Sequence, residues 1–132
     1  MEVKINERLK WVEHDGSDIL IANYKNLRGA EFVDLIDLNK EYIISVGKQR
    51  NGGLLILSDI TGAVIGTEAV FHIKQSLTDT APYTKAGAQV GTEGMKKHIL
   101  SFLNESSPFD AKVFDDVEEA KDWLAHRTTS DT

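Results

Sequence analysis

The stretch Leu54-Leu-Ile-Leu-Ser-Asp-Ile-Thr-Gly62 restricts the fold more than any other part of the chain. A short unbroken aliphatic run between turn residues reads as a strand buried on both faces, the pattern of a central strand in an α/β sheet. Asn51-Gly52-Gly53 stands before it, and Gly62 and Gly66 follow. In open α/β sheets ligands gather where such strands end, so a site is expected just after Asp59.

The segments around this strand alternate in type. Leu9 to Asn26 reads as a hairpin turned by Asp15-Gly16-Ser17-Asp18, with Ile19-Leu20-Ile21-Ala22 as its buried strand. The first few residues are expected to be frayed. Ala30 to about Arg50 carries a wide apolar face (Phe32, Val33, Leu35, Ile36, Tyr42, Ile43, Val46) and predicts a helix, although Tyr42 to Val46 also suits a strand. The helix reading is preferred because Asn51-Gly52-Gly53 is a good helix stop. A second helix is predicted from Thr67, read as its N-cap, and must end before Pro82. Ala69, Val70, Ile73 and Leu77 form its buried face. Lys85 to Gly91 is a strand of mostly small residues, which lets a helix or ligand approach the backbone. Thr92 is read as the cap of a third helix, with Met95, Ile99, Phe102 and Leu103 as its apolar face, and Asn104 to Pro108 as its end. Ala111 to Phe114 is a short edge strand. Asp116 with Glu119 resembles a capping box opening a last helix on Val117, Ala120, Trp123 and Leu124. The expected architecture is α/β: a mixed, largely parallel sheet of about five strands, an N-terminal antiparallel hairpin and four helices. Residues 1–126 form one domain in this reading, and residues 127–132 a polar tail expected to be disordered.

Composition narrows the function classes. A chain of 132 residues hides roughly 65–70% of its unfolded surface and needs no staple. It contains no cysteine, which excludes disulfides, thiolate metal sites and cysteine nucleophiles. The net charge of −6, with dispersed basic residues, argues against a nucleic-acid partner. No apolar run approaches the ~20 residues of a membrane span, and the charged N-terminus is no signal peptide, so the expected location is cytoplasmic.

No catalytic constellation stands out, and neither a cofactor nor a metal is expected. Asp34, Asp37 and Glu41 form a helical stripe that reads as a solvated face. The histidines His14, His72, His98 and His126 show no His-x-x-x-His or His-Glu-x-x-His spacing. Ser58, His72 and Asp59 make a triad on paper only, without a nucleophile elbow. His72 reads as either a surface or a pocket histidine. The segments Gly62 to Gly66 and Gly91 to Gly94 match no nucleotide fingerprint. Asp59 suits two jobs, orienting a ligand or capping its own loop. Thr61 and Thr67 suit an anion near a helix N-terminus, though capping is the plainer role of Thr67. The aromatic and sulfur-bearing residues Phe32, Tyr42, Phe71, Tyr83 and Met95 fit a core, an apolar pocket, a partner groove or a homodimer patch.

Three segments in order carry a likeness to a known family: Leu54-Leu-Ile-Leu-Ser-Asp-Ile-Thr-Gly62, Ala88-Gln-Val-Gly-Thr-Glu-Gly-Met95 and Val113-Phe-Asp-Asp-Val-Glu-Glu-Ala-Lys-Asp-Trp-Leu124. From about Leu9 to Leu124 the chain resembles the SpoIIAA-like proteins of the STAS-like superfamily. The resemblance implies a mixed sheet with helices on its faces and no established catalytic activity. It also implies three open roles: binding a small apolar or lipid-like ligand, peripheral membrane association, or regulation through a protein partner. Anti-sigma-factor antagonists of this type carry a phosphorylatable serine directly after the aspartate, whereas here Ile60 follows Asp59 and the hydroxyl is Thr61. The resulting expectation is a non-enzymatic binding or regulatory domain. Its tentative ligand site comprises Asp59, Thr61, Thr67, Phe71 and Tyr83, and a phospho-regulated partner switch is the alternative.

Overall fold

In the computed structural model, strands β2 (Leu9–His14) and β3 (Ser17–Asn23) pair antiparallel in the register His14↔Ser17. That register leaves Asp15 and Gly16 as a two-residue turn, both at positive φ (50° and 84°), which suits the right-handed twist of a hairpin. Described are residues 2–105, 107 and 109–130, with the backbone alone for Met95 and residues 127–130.

After β3 the chain makes three parallel additions. Helix α1 (Gly29–Arg50) leads to β4 (Leu54–Asp59), α2 (Thr67–Thr80) to β5 (Thr84–Val90), and α3 (Met95–Glu105) to β6 (Asp110–Val113). Helix α4 (Val117–Ser130) closes the order. One strand more than expected is present: β1 (Glu2–Asn6) pairs antiparallel with β2, and Lys10 bridges to Glu2 at 3.1 Å. All its residues are exposed, so it has no buried face to print a pattern in the sequence.

The six strands lie in the sheet in sequence order, β1 through β6, parallel from β3 onward. Successive crossovers of one hand, always stepping the same way, place their helices on one face. Accordingly α1, α2 and α3 share one core with Leu9, Trp11, Leu20, Ala22 and Leu54, while α4 alone packs on the other face. There Ile19, Leu55, Leu57, Ala86 and Ala88 meet Ala120 and Leu124, all but Leu55 at 0% exposure. The strict alternation of β4 explains its unbroken aliphatic run, because Leu54 and Ile56 serve one face and Leu55 and Leu57 the other.

The helices follow their apolar spacing with local exceptions. In α1 the buried line is Phe32, Ile36, Asn39, Ile43 and Gly47, so Tyr42 to Val46 is helical. Asn51 in the left-handed conformation ends it. Gly47 is required there, because a Cβ would strike the Tyr83 side chain in the 3-10 turn Ala81–Tyr83. The α2 N-cap is Gly66, with no side-chain cap bond, and Thr67 is the first helical residue instead. Thr92 likewise lies three residues before α3 and does not cap it. The buried face of α3 is Ile99, Leu100 and Leu103, while Phe102 is 71% exposed. The expected spacing had passed over Leu100 and so rotated the face; the side chain of Met95 is outside the description. At α4 the Asp116 carboxylate accepts the Glu119 N–H at 3.1 Å, the expected cap. The helix continues through Ser130, past the tail boundary expected at Arg127. Asp131 and Thr132 lie outside the described residues, as do Ser106 and Pro108 in the turn before β6.

Candidate functional site

The carboxyl end of β4 is a tightly laced corner. The backbone N–H groups of Tyr24, Asn26 and Val64 donate to Asp59, Thr61 and Leu27, and Ile60 N–H donates to Val90. Within this corner one oxygen of the Asp59 carboxylate accepts both the Thr61 N–H (3.0 Å) and the Thr61 hydroxyl (2.7 Å). Its other oxygen lies 3.5 Å from the Lys25 ammonium. Asp59 is 8% exposed, so it caps its own loop, an Asx turn with an ion pair added. The Thr61 hydroxyl is engaged as a donor, and a phosphate there would stand beside the Asp59 carboxylate, a like-charge contact. Gly91, at φ 77°, comes so close to Thr61 that a Cβ would collide with it, which packs the loop after β5 onto the loop after β4.

The five residues expected to form one site do not meet. Asp59 and Thr61 share the corner just described. Thr67 is exposed at the start of α2, and Phe71 on the same helix is 68% exposed. Tyr83 lies at the opposite end of the sheet, directly before the β5 residue paired with Leu54, and packs against α1 at Gly47. The length of β4 separates it from Asp59, roughly 20 Å. Nor is the paper triad assembled: His72 Nδ1 bonds the Asp37 carboxylate at 2.9 Å, and Asp59 is occupied by Thr61. The His72–Asp37 contact instead ties α2 to α1, as does Lys40–Asp79 at 3.2 Å. Bonds from Gln75 and Lys40 hold the Asp79 carboxyl below its ordinary range.

The concave feature nearest Asp59 lies beside its strand, under the helices, and not beyond the strand end. With strands in sequence order the sheet has no reversal of direction, hence no switch-point crevice of the kind open α/β folds use. A cavity of about 90 Å³ opens between α2, α3 and the sheet, walled by Phe32, Ile36, Ile60, Ile73, Leu77 and Leu100. A second lobe of about 70 Å³ continues along β4 and β5 toward Thr84 and Phe109. The lobes share Tyr24, Ser58, Ser76, Leu77 and Gln89. Small residues make the room: Gly87 on β5, Ser58 on β4 and Ser76 on α2 stand where larger side chains would close the gap.

Polar groups punctuate this apolar cleft. Asn104 Nδ2 donates to Gln89 Oε1 at 2.8 Å, which leaves the buried Asn104 Oδ1 without a partner among the described residues. Behind the wall Asn39 Nδ2 donates to the Tyr24 hydroxyl at 2.9 Å, and Asn39 Oδ1 is also unpaired. Burial pushes the Tyr24 phenol up to about 12, against the opposing pull of the Asn39 bond. Buried amide oxygens ordinarily have partners, and one left unmade costs about 1–3 kcal/mol. An unpaired acceptor at an apolar cavity can receive an O–H or N–H from a guest. Sequence reasoning missed Tyr24, Ser58, Ser76, Gln89 and Asn104 as a group. The available signal was the polar positions Ser58 and Gln89 in β4 and β5, directly after the aliphatic and small residues of those strands.

No helix among the described residues is long and apolar enough to cross a membrane. No protein-family model and no curated protein sequence matches the chain. Its fold does match a solved structure, that of an uncharacterized protein from the DUF3478 family with a SpoIIAA-like fold, from Shewanella loihica PV-4. The two superpose with a TM-score of 0.64 at 17% identity, covering 92% of this chain and 98% of that one. The sheet order and helix placement agree with this match: the chain has a SpoIIAA-like fold.

Proposed function

We propose that the chain is a non-enzymatic binding domain whose cleft between α2, α3 and the sheet takes a small apolar molecule with one hydrogen-donating end. The observation that carries this reading is the unpaired Asn104 Oδ1, buried at an apolar cavity next to the Gln89 amide. The apolar walls supply affinity and the amide pair supplies orientation, the usual division of labour in small-molecule sites. Size limits the guest. Lobes of about 90 and 70 Å³ are each smaller than the ~150 Å³ cavity that admits benzene, so a lipid-like chain enters only if α2 or α3 shifts. Exposed Phe71 and Phe102, on the two helices bordering the cleft, are where such a movement would meet a membrane or partner. The Thr61 switch gains no support from the geometry at Asp59.

The test is a titration with a series of short primary alcohols, read by amide NMR and thermal melting. Binding should shift the side-chain amides of Gln89 and Asn104 and raise the melting temperature, and Ser76→Leu, which fills the shared wall, should remove both effects. If no alcohol moves those resonances, or Ser76→Leu binds as well as the parent, the cleft is not the site.

A further inference from the structure

Away from the cleft, on the side of the sheet covered by α4, the fold brings together four side chains that lie far apart in sequence. The β2–β3 turn supplies His14 and Asp15, and α4 supplies Asp122 and His126, one helical turn apart on the same helix face. His14 Nε2 lies 2.6 Å from Asp122 Oδ1 and 3.6 Å from Asp15 Oδ2. His126 Nε2 lies 3.0 Å from the same Asp15 Oδ2. Donor atoms of His14, Asp15 and Asp122 all fall within 4.8 Å of one another.

Separate histidine–carboxylate pairs would each need one nitrogen and one oxygen. Here the His14 nitrogen stands against two carboxylates, so His14, Asp15 and Asp122 converge on one centre, and His126 holds the Asp15 carboxylate from outside it. An ion with bonds of about 2.0–2.2 Å in tetrahedral array sets its donors roughly 3.3 Å apart, and the two contacts of His14, 2.6 and 3.6 Å, bracket that spacing. We propose that His14, Asp15 and Asp122 bind a divalent transition-metal ion of the zinc type, with a water in the fourth position and His126 positioning the Asp15 carboxylate from outside the ligand set. An imidazole nitrogen with two carboxylates and a water suits zinc or cobalt, whereas calcium and magnesium prefer all-oxygen sets. The two carboxylates balance the charge of the ion, and the chain's net charge of −6 does not oppose it. Asp15 is held in place by its left-handed position in the tight turn (φ 50°). A weak bond from the Ser17 hydroxyl to the Ala125 carbonyl, 3.4 Å, already joins the same two elements. A bound ion would clamp the hairpin to α4, and it would do so whether or not the cleft holds a ligand.

The experiment uses the full chain without an affinity tag. Cobalt(II) titration should give the strong visible absorption of a four-coordinate ion, saturating at one ion per chain, and zinc should bleach it. Zinc should also raise the melting temperature, because it binds the folded state alone. His126→Ala, at a 61% exposed side chain that the fold can spare, should weaken zinc by more than about tenfold. His14→Gln with His126→Ala should abolish the cobalt spectrum, and calcium should do nothing in any variant. Absence of a cobalt spectrum together with no zinc-dependent melting shift overturns the proposal. So does a response that the double variant leaves unchanged, since the ion would then sit elsewhere, for example at His72 or His98.

Discussion

On the α4 face of the sheet, Leu55, Leu57, Ala86, Ala88 and Val90 meet Ala120 and Leu124. The alternate positions of the same two strands, Ile56, Ser58, Gly87 and Gln89, line the cleft on the α1–α3 face. None of the cavity-lining residues belongs to the α4 side. One helix closes over Leu55, Leu57, Ala86 and Ala88 with Ala120 and Leu124, while three helices leave gaps and, among the described residues, two amide oxygens without partners over a mixed surface. The difference lies in side chains, since both faces share one backbone. A stable fold needs a closely packed apolar face, and nothing in stability alone asks for Ser58, Gln89 and Asn104 between the sheet and its helices. Polar groups kept in a core without full pairing lower stability, which is why such places mark function more often than structure.

The contrast can be broken by mutation, and the largest effect belongs to the sealed face. Leu124→Ala removes a side chain at 0% exposure and should cost about 2–5 kcal/mol in urea denaturation, because that packing cannot relax into an existing gap. A matching Leu100→Ala at the cleft, also buried but beside space that is already open, should cost clearly less. If the two losses are equal, the faces do not differ as described. Tyr24, on the cleft side, should make stability sensitive to alkali. Its folded value of about 12 lies above the ordinary 10, so its contribution is whole below pH 10 and lost as pH rises toward 12. The loss should reach roughly 2–3 kcal/mol at the upper end, and Tyr24→Phe should show a correspondingly smaller alkaline decline.

Gly47→Ala sharpens the comparison at a third place, where α1 meets the turn before β5. Alanine favours a helix by about 1 kcal/mol over glycine, yet the collision with Tyr83 should reverse the sign and give a net loss of about 1–2 kcal/mol. Melting of Gly47→Ala with and without Tyr83→Ala separates the two terms, since the smaller partner should restore the helix gain. The smallest effect is the most telling for the cleft. Replacing Gln89 and Asn104 together by leucine should leave stability unchanged or raised by up to about 1 kcal/mol, because an unpaired acceptor is removed along with its neighbour. A large loss of stability there would mean that the amide pair serves the fold and not a guest.

The periodic elements are legible in the sequence. Leu54 to Leu57 declared a central strand, the wide face of α1 outweighed the strand-like Tyr42 to Val46, and Asp116 with Glu119 marked the start of α4. Strand β1 was not legible, because Val3 and Ile5 are exposed and create no buried pattern. Of the five residues read as one site, Asp59 and Thr61 meet, while Thr67, Phe71 and Tyr83 do not join them. Asp59 and Thr61 satisfy each other, a pairing two residues apart that looks the same in sequence as a pair waiting for a ligand. Tyr83 was grouped with them as an aromatic suited to an apolar pocket, although the strand lengths put it at the far end of the sheet. Gln89 and Asn104 become partners only when α3 folds back over β5, and His14 and Asp122 only when α4 crosses the sheet. No spacing rule reaches across such distances.

The strand order has a consequence for how the molecule is made. Because β1 through β6 are laid down in sequence order, each strand leaving the ribosome finds its neighbour already in place, and the α1–α3 layer is roofed as synthesis proceeds. The opposite surface waits. Ile19, Leu55, Leu57, Ala86 and Ala88 have no cover until α4, after the last strand, swings back across β5, β4 and β3. The nascent chain therefore carries a broad greasy plane until its final helix arrives, and a ribosome stalled before Ala120 and Leu124 would display a sticky intermediate, the natural client of a chaperone.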